Sequence, residues 1–274
     1  MSPSLAFYLS TAFAACSVAF CMAESTPVTP SKPETGLGEL STDRPDFTES
    51  TGTIRPGVLQ LEGGLLTASH SLQEGRIATL AGPYPLFRLG LTSRTELRLG
   101  SDGMQRESQG AERHEGLSDV LLGLKLAIAH ERGAMPAVSV IGALSMPWGA
   151  GYFTSGTVDP VIKLCLSKSL PAGWDIGGNV DVRWDRSATV TTREHGYSLT
   201  SSHALAAGLR GFAEVYRISP VAGDEAAHWL ADTGLSRQVG GNAHLDVAVG
   251  HTMNARTPYW FVSAGFAIRT PLWR

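Results

Sequence analysis

Between Trp174 and Asp185 the even positions read Trp174, Ile176, Gly178, Val180, Val182 and Trp184, while the odd positions read Asp175, Gly177, Asn179, Asp181, Arg183 and Asp185. A period of two with unlike halves predicts a β-strand with one oily and one ionic face. At ~3.3 Å per residue the two tryptophans are ~33 Å apart along the strand. With a tilt of ~40° the separation along the normal is ~25 Å, the height of the apolar band on an outer-membrane barrel. Alternation alone does not say which face points inward, because a soluble barrel of the lipocalin type buries its oily face.

The same pattern recurs in twelve segments, at about 58–68, 76–90, 93–101, 117–129, 135–146, 158–168, 173–185, 197–209, 211–218, 227–237, 242–252 and 258–270. Each is close to the ~9–11 residues with which a tilted strand crosses a bilayer. Their oily faces include Leu59/Leu61/Leu65, Leu97/Leu99, Leu122/Leu124/Leu126/Ile128 and Trp260/Val262/Phe266/Ile268. The opposite faces carry Glu62, Arg88, Glu96, Arg98, Asp119, Lys125, Lys163, Asp181, Arg183, Glu214, Asp232, His244, Asp246 and Arg269. A soluble core does not explain charges on one side of so many strands while the other side stays aliphatic. These fourteen residues are therefore expected to line a polar lumen.

The connections point the same way. Those after odd-numbered segments, such as Ser101–Gly116, Pro147–Thr157, Arg186–Gly196 and Ile218–Ala226, read as long and polar. Those after even-numbered ones, such as Leu91-Thr92, His130–Ala134, Ser169–Ala172, Arg210 and Gln238–Gly241, read as short. Long loops outside the cell, tight turns in the periplasm and an even strand count are the outer-membrane pattern. Trp148, Trp174, Trp184, Tyr197, Trp229, Tyr259, Trp260 and Trp273 fall at segment ends, where aromatic girdles are expected. The fold class predicted is all-β: an antiparallel transmembrane β-barrel of about twelve strands, occupying residues 53–274, embedded in outer-membrane lipid and delivered by the barrel assembly machinery, to which Trp273-Arg274 presents a near-terminal aromatic.

Composition adds limits rather than a partner. The 274 residues carry a formal charge of −3 and no Lys/Arg cluster, which gives no reason to expect nucleic acid. Residues 1–23 hold no charged side chain, run apolar from Leu5 to Phe20 and end Cys21-Met22-Ala23, and so read as a cleaved secretory signal. With Cys16 and Cys21 inside that leader, the mature chain keeps only Cys165, a small apolar filler. Residues 24–52 are expected to be a flexible periplasmic lead-in, rich in Pro, Thr, Ser and Gly up to about Leu40. They include Asp43, Arg44, Asp46 and Glu49. Three acids around one Arg could form an acid/base or cation cluster, but side chains capping a Pro-broken loop are the commoner arrangement. A third reading is a plug tucked into the lumen.

The order Thr42-Asp43-Arg44-Pro45-Asp46-Phe47-Thr48-Glu49-Ser50, a Pro56-Gly57 turn and then Leu59-Gln60-Leu61-Glu62-Gly63-Gly64 resembles the opening of a family labelled for the meta-pathway of phenol degradation, or simply "transporter". The likeness continues in Leu86–Leu91, Thr95–Leu99, Ser118-Asp119, Gly123–Lys125, Ser145–Pro147, Gly178-Asn179 and Glu214–Tyr216, and covers about residues 41–270. It implies an outer-membrane barrel taking up aromatic or other small hydrophobic compounds.

No Cys-x-x-Cys, His-Glu-x-x-His, Gly-x-Ser-x-Gly, phosphate-binding loop or dinucleotide fingerprint is present, and no cofactor is expected. His244 and Asp246 share a face but lack a third metal ligand in view, so a hydrogen-bonded pair is favoured. Ser201-Ser202-His203 raises an outer-membrane lipid hydrolase, which would need an orienting partner for the His. Two main functions remain open: a channel for a small solute, and a plugged structural or surface-interaction barrel.

Overall fold

The computed structural model describes residues 40–273 apart from 73–74, 187–190, 221–227 and 254–257; the leader and most of the lead-in lie outside the described residues. Fifteen strands follow in order: β1 (Val58–Leu72), β2 (Gly75–Gly82), β3 (Leu86–Gly90), β4 (Thr95–Ser101), β5 (Met104–Gln109), β6 (Glu112–Leu117), β7 (Val120–Ala129), β8 (Ala137–Met146), β9 (Asp159–Ser169), β10 (Trp174–Arg186), β11 (Thr191–Ala206), β12 (Leu209–Pro220), β13 (His228–Val239), β14 (Ala243–Thr252) and β15 (Tyr259–Pro271). Every pairing between these strands is antiparallel, and β15 pairs with β1 from Val58↔Pro271 to His70↔Tyr259, which closes the sheet. The fifteen pieces make a closed barrel of twelve staves, because β2/β3, β4/β5 and β6/β7 are each two halves of one stave; β1, for instance, pairs with β3 through Leu59–Glu62 and with β2 through Leu66–Leu72.

These three staves break side by side. Pro83 and Pro85 interrupt the ladder for lack of an N–H, yet bonds persist across the break: Tyr84 N donates to Gly64 O at 3.1 Å, Ser101 N to Pro85 O at 3.0 Å and Ser118 N to Gly103 O at 2.9 Å. Gly103, at φ +70°, leaves no room for a side chain, since a Cβ there would lie 1.8 Å from Pro83 O.

Burial settles the orientation left open by the alternation. On β7 Leu124, Leu126 and Ile128 are 44–50% exposed while Lys125 between them is 0% exposed, and β14 repeats the pattern with Leu245, Val247 and Val249 outward and Asp246 inward. An oily exterior wrapped around buried charges is stable only when the exterior faces lipid. No helix among the described residues is long and apolar enough to cross a membrane, which leaves strand crossing untouched.

Several boundaries differ from the sequence reading. Ser101–Gly116 is not a loop: β5 and β6 form a hairpin with only Gly110-Ala111 between them. It has no oily face to betray it, because four of six β6 residues in a row are exposed on both sides. Likewise β10 runs to Arg186 and β11 starts at Thr191, and β12 reaches Pro220, so much of the polar "loop" sequence extends the staves. The turn placed at Arg210 is at Ala207-Gly208, where Gly208 takes φ +65°; Arg210 instead belongs to β12 and bonds Asp175. Protease added to intact cells that display the protein is therefore expected to cut at the Gly110-Ala111 tip rather than throughout 101–116. Cleavage that appears only after periplasmic access would invert the barrel.

Candidate functional site

The candidate site is the barrel interior and the stretch of chain inside it. Leu40 to Arg55 does not join the sheet, and its groups meet inward-facing side chains nearly all round the wall. Asp43 is the centre of the contact. Its Oδ2 receives Arg98 at 2.6 Å and Arg88 at 3.2 Å, and its Oδ1 receives Lys125 at 3.2 Å and the N–H and hydroxyl of Ser50 at 2.9 and 2.7 Å. The wall cations are themselves positioned by wall acids: Arg88 lies 2.7 Å from Glu96 and 2.8 Å from Glu62, and Arg98 lies 2.9 Å from Glu96. Arg44 points the opposite way and forms a two-point contact with Asp246, at 3.0 and 3.3 Å. Glu49 meets Arg98 at 2.7 Å and Lys163 at 3.0 Å, and Asn179 receives the Glu49 N–H at 2.7 Å while donating to Glu49 O at 3.2 Å.

Higher in the lumen the backbone N–H groups of Phe47 and Thr48 donate to the two oxygens of Glu214 at 2.6 and 2.8 Å. The Phe47 ring stacks on Tyr216 with centroids 4.6 Å apart and planes 7° from parallel, and the Lys163 ammonium lies 5.1 Å from its centroid. Toward the loop end a layer of buried apolar side chains faces inward: Leu66, Ala81, Tyr84, Leu230, Tyr259 and Phe261, against which Phe47 packs. Tyr259, expected in an outer girdle, is 4% exposed and belongs to this layer. Parity corrects the expectation, since Trp260 faces out and its neighbours on the strand must face in.

Of the fourteen wall residues singled out, Glu62, Arg88, Glu96, Arg98, Lys125, Lys163, Glu214 and Asp246 touch the inner segment. Asp232 is buried as the register partner of Glu214, and Asp181 pairs in register with Lys163. Arg183 stands opposite Glu194. Three others do different work. Asp119 caps the 147–157 loop through Gly149 N and Ser155 N, both at 2.9 Å; Arg269 donates to Gly241 O at 2.8 Å in a terminal-end turn; His244, expected to pair with Asp246, is half-buried with its Nδ1 unbonded, because Asp246 is engaged by Arg44. Among the described residues no group of three or more His, Cys, Asp or Glu could hold a metal ion. Ser202 and His203 face opposite sides of β11: Ser202 accepts from Arg210 at 3.0 Å, whereas His203 stacks on Trp174 and meets Gly173 O. Cys165 is fully buried in the wall.

The carboxyls of the inner segment are shifted in opposite directions. For Asp43 burial alone would raise the pKa, but Arg88, Lys125 and Arg98 outweigh it and hold the group well below the usual range. Glu49 is lowered against burial by Arg98 and Lys163. Asp46 is raised well above the usual range by burial and by the nearby Glu214. Groups lowered in the seated form stabilise it above their ordinary pKa and lose that contribution as pH falls through the lowered value. A raised carboxyl works in reverse, weakening the seat as pH climbs from the ordinary value through the raised one. Seating of 40–55 is thus expected to be tightest near the ordinary carboxylate pKa and to loosen on both sides. Hydrogen exchange of the Thr48 and Ser50 amides across pH, corrected for intrinsic rates, checks this; a monotonic profile contradicts it.

A closed twelve-stave barrel with a lipid-facing exterior and a charge-filled interior is an outer-membrane-type β-barrel. The chain belongs to the family described as "Putative MetA-pathway of phenol degradation", whose match spans residues 42–270. Among solved structures the chain is similar to the COG4313 outer membrane channel from Pseudomonas putida F1, with 13% identity and a TM-score of 0.59 over 80% of this chain and 98% of that one. It is also similar to the translocator domain of the autotransporter NalP from Neisseria meningitidis (12%, TM-score 0.52, 77% and 88% covered) and to the beta domain of the Bordetella autotransporter BrkA (11%, TM-score 0.52, 77% and 99%). At these identities the likeness establishes the fold. No protein of curated function matches the chain.

Proposed function

We propose that the protein is an outer-membrane channel for small solutes, exported by its 1–23 leader, assembled into outer-membrane lipid by the barrel machinery, and shut in the described state by its own residues 40–55. The observation that carries this is the seating of a non-wall segment against inward side chains from β1 round to β14. A chain meant only to fill a barrel needs no separate segment, because an ~8-stranded barrel is filled by its own side chains. Twelve staves leave space, and a segment held by side chains rather than by the sheet can leave it. The family description and the buried aromatic layer near the loop end support an aromatic or hydrophobic solute. His203, whose ring stacks on Trp174 and meets the Gly173 carbonyl rather than an orienting carboxylate, supports transport over lipid hydrolysis.

The test is single-channel recording on the purified full chain in planar bilayers. Wild type is expected to be mostly silent with brief openings, becoming more frequent at either pH extreme. A steadily open wild-type pore would show that 40–55 does not occlude. Silence at every voltage and pH would favour the plugged structural barrel.

A further inference from the structure

We propose that Arg88, Arg98 and Lys125 form a carboxylate receptor in the lumen, that Asp43 occupies it in place of a solute, and that the solute class it reads is an aromatic carboxylate. This deepens the channel reading and rests on the plug leaving its seat. The wall supplies three cations here, with side-chain exposures of 0, 5 and 0%. The wall's own acids in contact with them, Glu62 and Glu96, are two. One positive charge is left over, and an uncompensated buried charge is costly. The anions that answer it come from outside the wall: the Asp43 carboxylate, which touches all three cations, and the Glu49 carboxylate, which Arg98 shares with Lys163, both on a segment held by wall side chains. Glu62 and Glu96 hold the Arg88 fork and Glu96 holds Arg98, so two of the three cations are preorganised by wall acids, while Lys125 bonds Asp43 and Ser50 of the segment.

The second half of the solute is read from the second wall group that the segment fills. Tyr216 and Lys163 flank the Phe47 ring, one by stacking and one over its face. A departing plug would uncover a carboxylate nest and a slot lined by an aromatic face and a cation. A small molecule bearing an aryl ring and a carboxylate has a group for each, the nest on β3, β4 and β7 and the slot between β9 and β12, whereas a neutral phenyl compound has one for the slot alone.

Equilibrium dialysis with labelled benzoate, acetate and benzyl alcohol on the purified full chain tests this. Asp43→Asn removes the competitor common to all three cations, leaves Glu49 on Arg98 and keeps the wall intact, so it is expected to bind benzoate at least about tenfold more tightly than wild type, because self-occupancy of Arg88 and Lys125 no longer subtracts from affinity. Acetate should bind more weakly than benzoate, benzyl alcohol should not respond to the substitution, and Lys125→Met added to Asp43→Asn should abolish the gain. Equal benzoate binding by wild type and Asp43→Asn overturns the receptor; equal binding of acetate and benzoate overturns the aryl half. Should Asp43→Asn fail to fold, wild type decides: benzoate, and not benzyl alcohol, must speed exchange of the Thr48 and Ser50 amides, and no change overturns the proposal. Benzoate binding in a barrel that never conducts would remove transport and keep the receptor, while a conducting pore indifferent to benzoate would remove the receptor alone.

Discussion

Val180→Arg is expected to destabilise the barrel by ~2–4 kcal/mol and to impair its assembly, the cost of placing a guanidinium at the middle of the lipid face. Val180 is 42% exposed, and its register partners Leu164 and Tyr197 are exposed as well, so the surroundings offer hydrocarbon and no counter-charge. Its neighbour Asp181 is 4% exposed and points into the lumen beside Lys163 and Gly196, where a Cβ on Gly196 would lie 2.4 Å from its Oδ1. Asp181→Asn keeps the shape and removes a charge from a polar interior. It should leave folding yield into vesicles near wild type and shift the anion/cation selectivity of any open state. Normal folding of Val180→Arg together with failure of Asp181→Asn would mean that the oily face points inward.

Adjacent residues with opposite fates are what made the architecture legible. On β10, β7 and β14 the sequence separates aliphatic from ionic positions so completely that the barrel and its twelve staves can be read without coordinates. The same parity rule, applied more strictly, would have placed Tyr259 and Phe261 in the interior, because Trp260 and Val262 are plainly outward positions. Parity fails where the stave leaves the membrane. β6 is wet on both sides, so Glu112–Leu117 has no reason to alternate, and composition alone made the hairpin look like a loop.

The interior segment was legible as a motif and not as a set of contacts. Asp43, Arg44, Asp46 and Glu49 stood out because so many charges in a Pro-broken stretch need partners. Which partners they find is decided by closure of the barrel: Arg44 and Asp246 are 202 positions apart, and no local rule links them. Opposite shifts on Asp43 and Asp46, three residues apart, have the same origin. One carboxyl faces the cations of β3, β4 and β7, while the other faces Glu214 on the far wall.

Gly265→Val should open the lumen with little harm to the wall, because of what lies beside that glycine. A Cβ at Gly265 would stand 2.3 Å from Nε and Nη2 of Arg44 and 2.5 Å from its guanidinium carbon, and these are its nearest neighbours. Gly64, its partner across β1, is a poorer choice, since a Cβ there would also strike the backbone oxygen of Ala264 at 2.6 Å. Val suits a strand, and the group it displaces is the end of a flexible side chain. Arg44 must then withdraw from Asp246, a pair whose side chains are 7% and 0% exposed. Separating a buried pair of this kind costs ~3–5 kcal/mol, which at ~1.4 kcal/mol per factor of ten moves the seated-to-unseated ratio by more than ~100-fold. The variant should still fold into vesicles and show the heat-dependent gel shift of a closed barrel. Its conductance should change from brief events to long openings, and its Thr48 and Ser50 amides should exchange faster. Wild-type silence together with wild-type amide protection in a properly folded Gly265→Val barrel would mean that Arg44 does not latch the segment, and the gate would have to be sought elsewhere in the lumen.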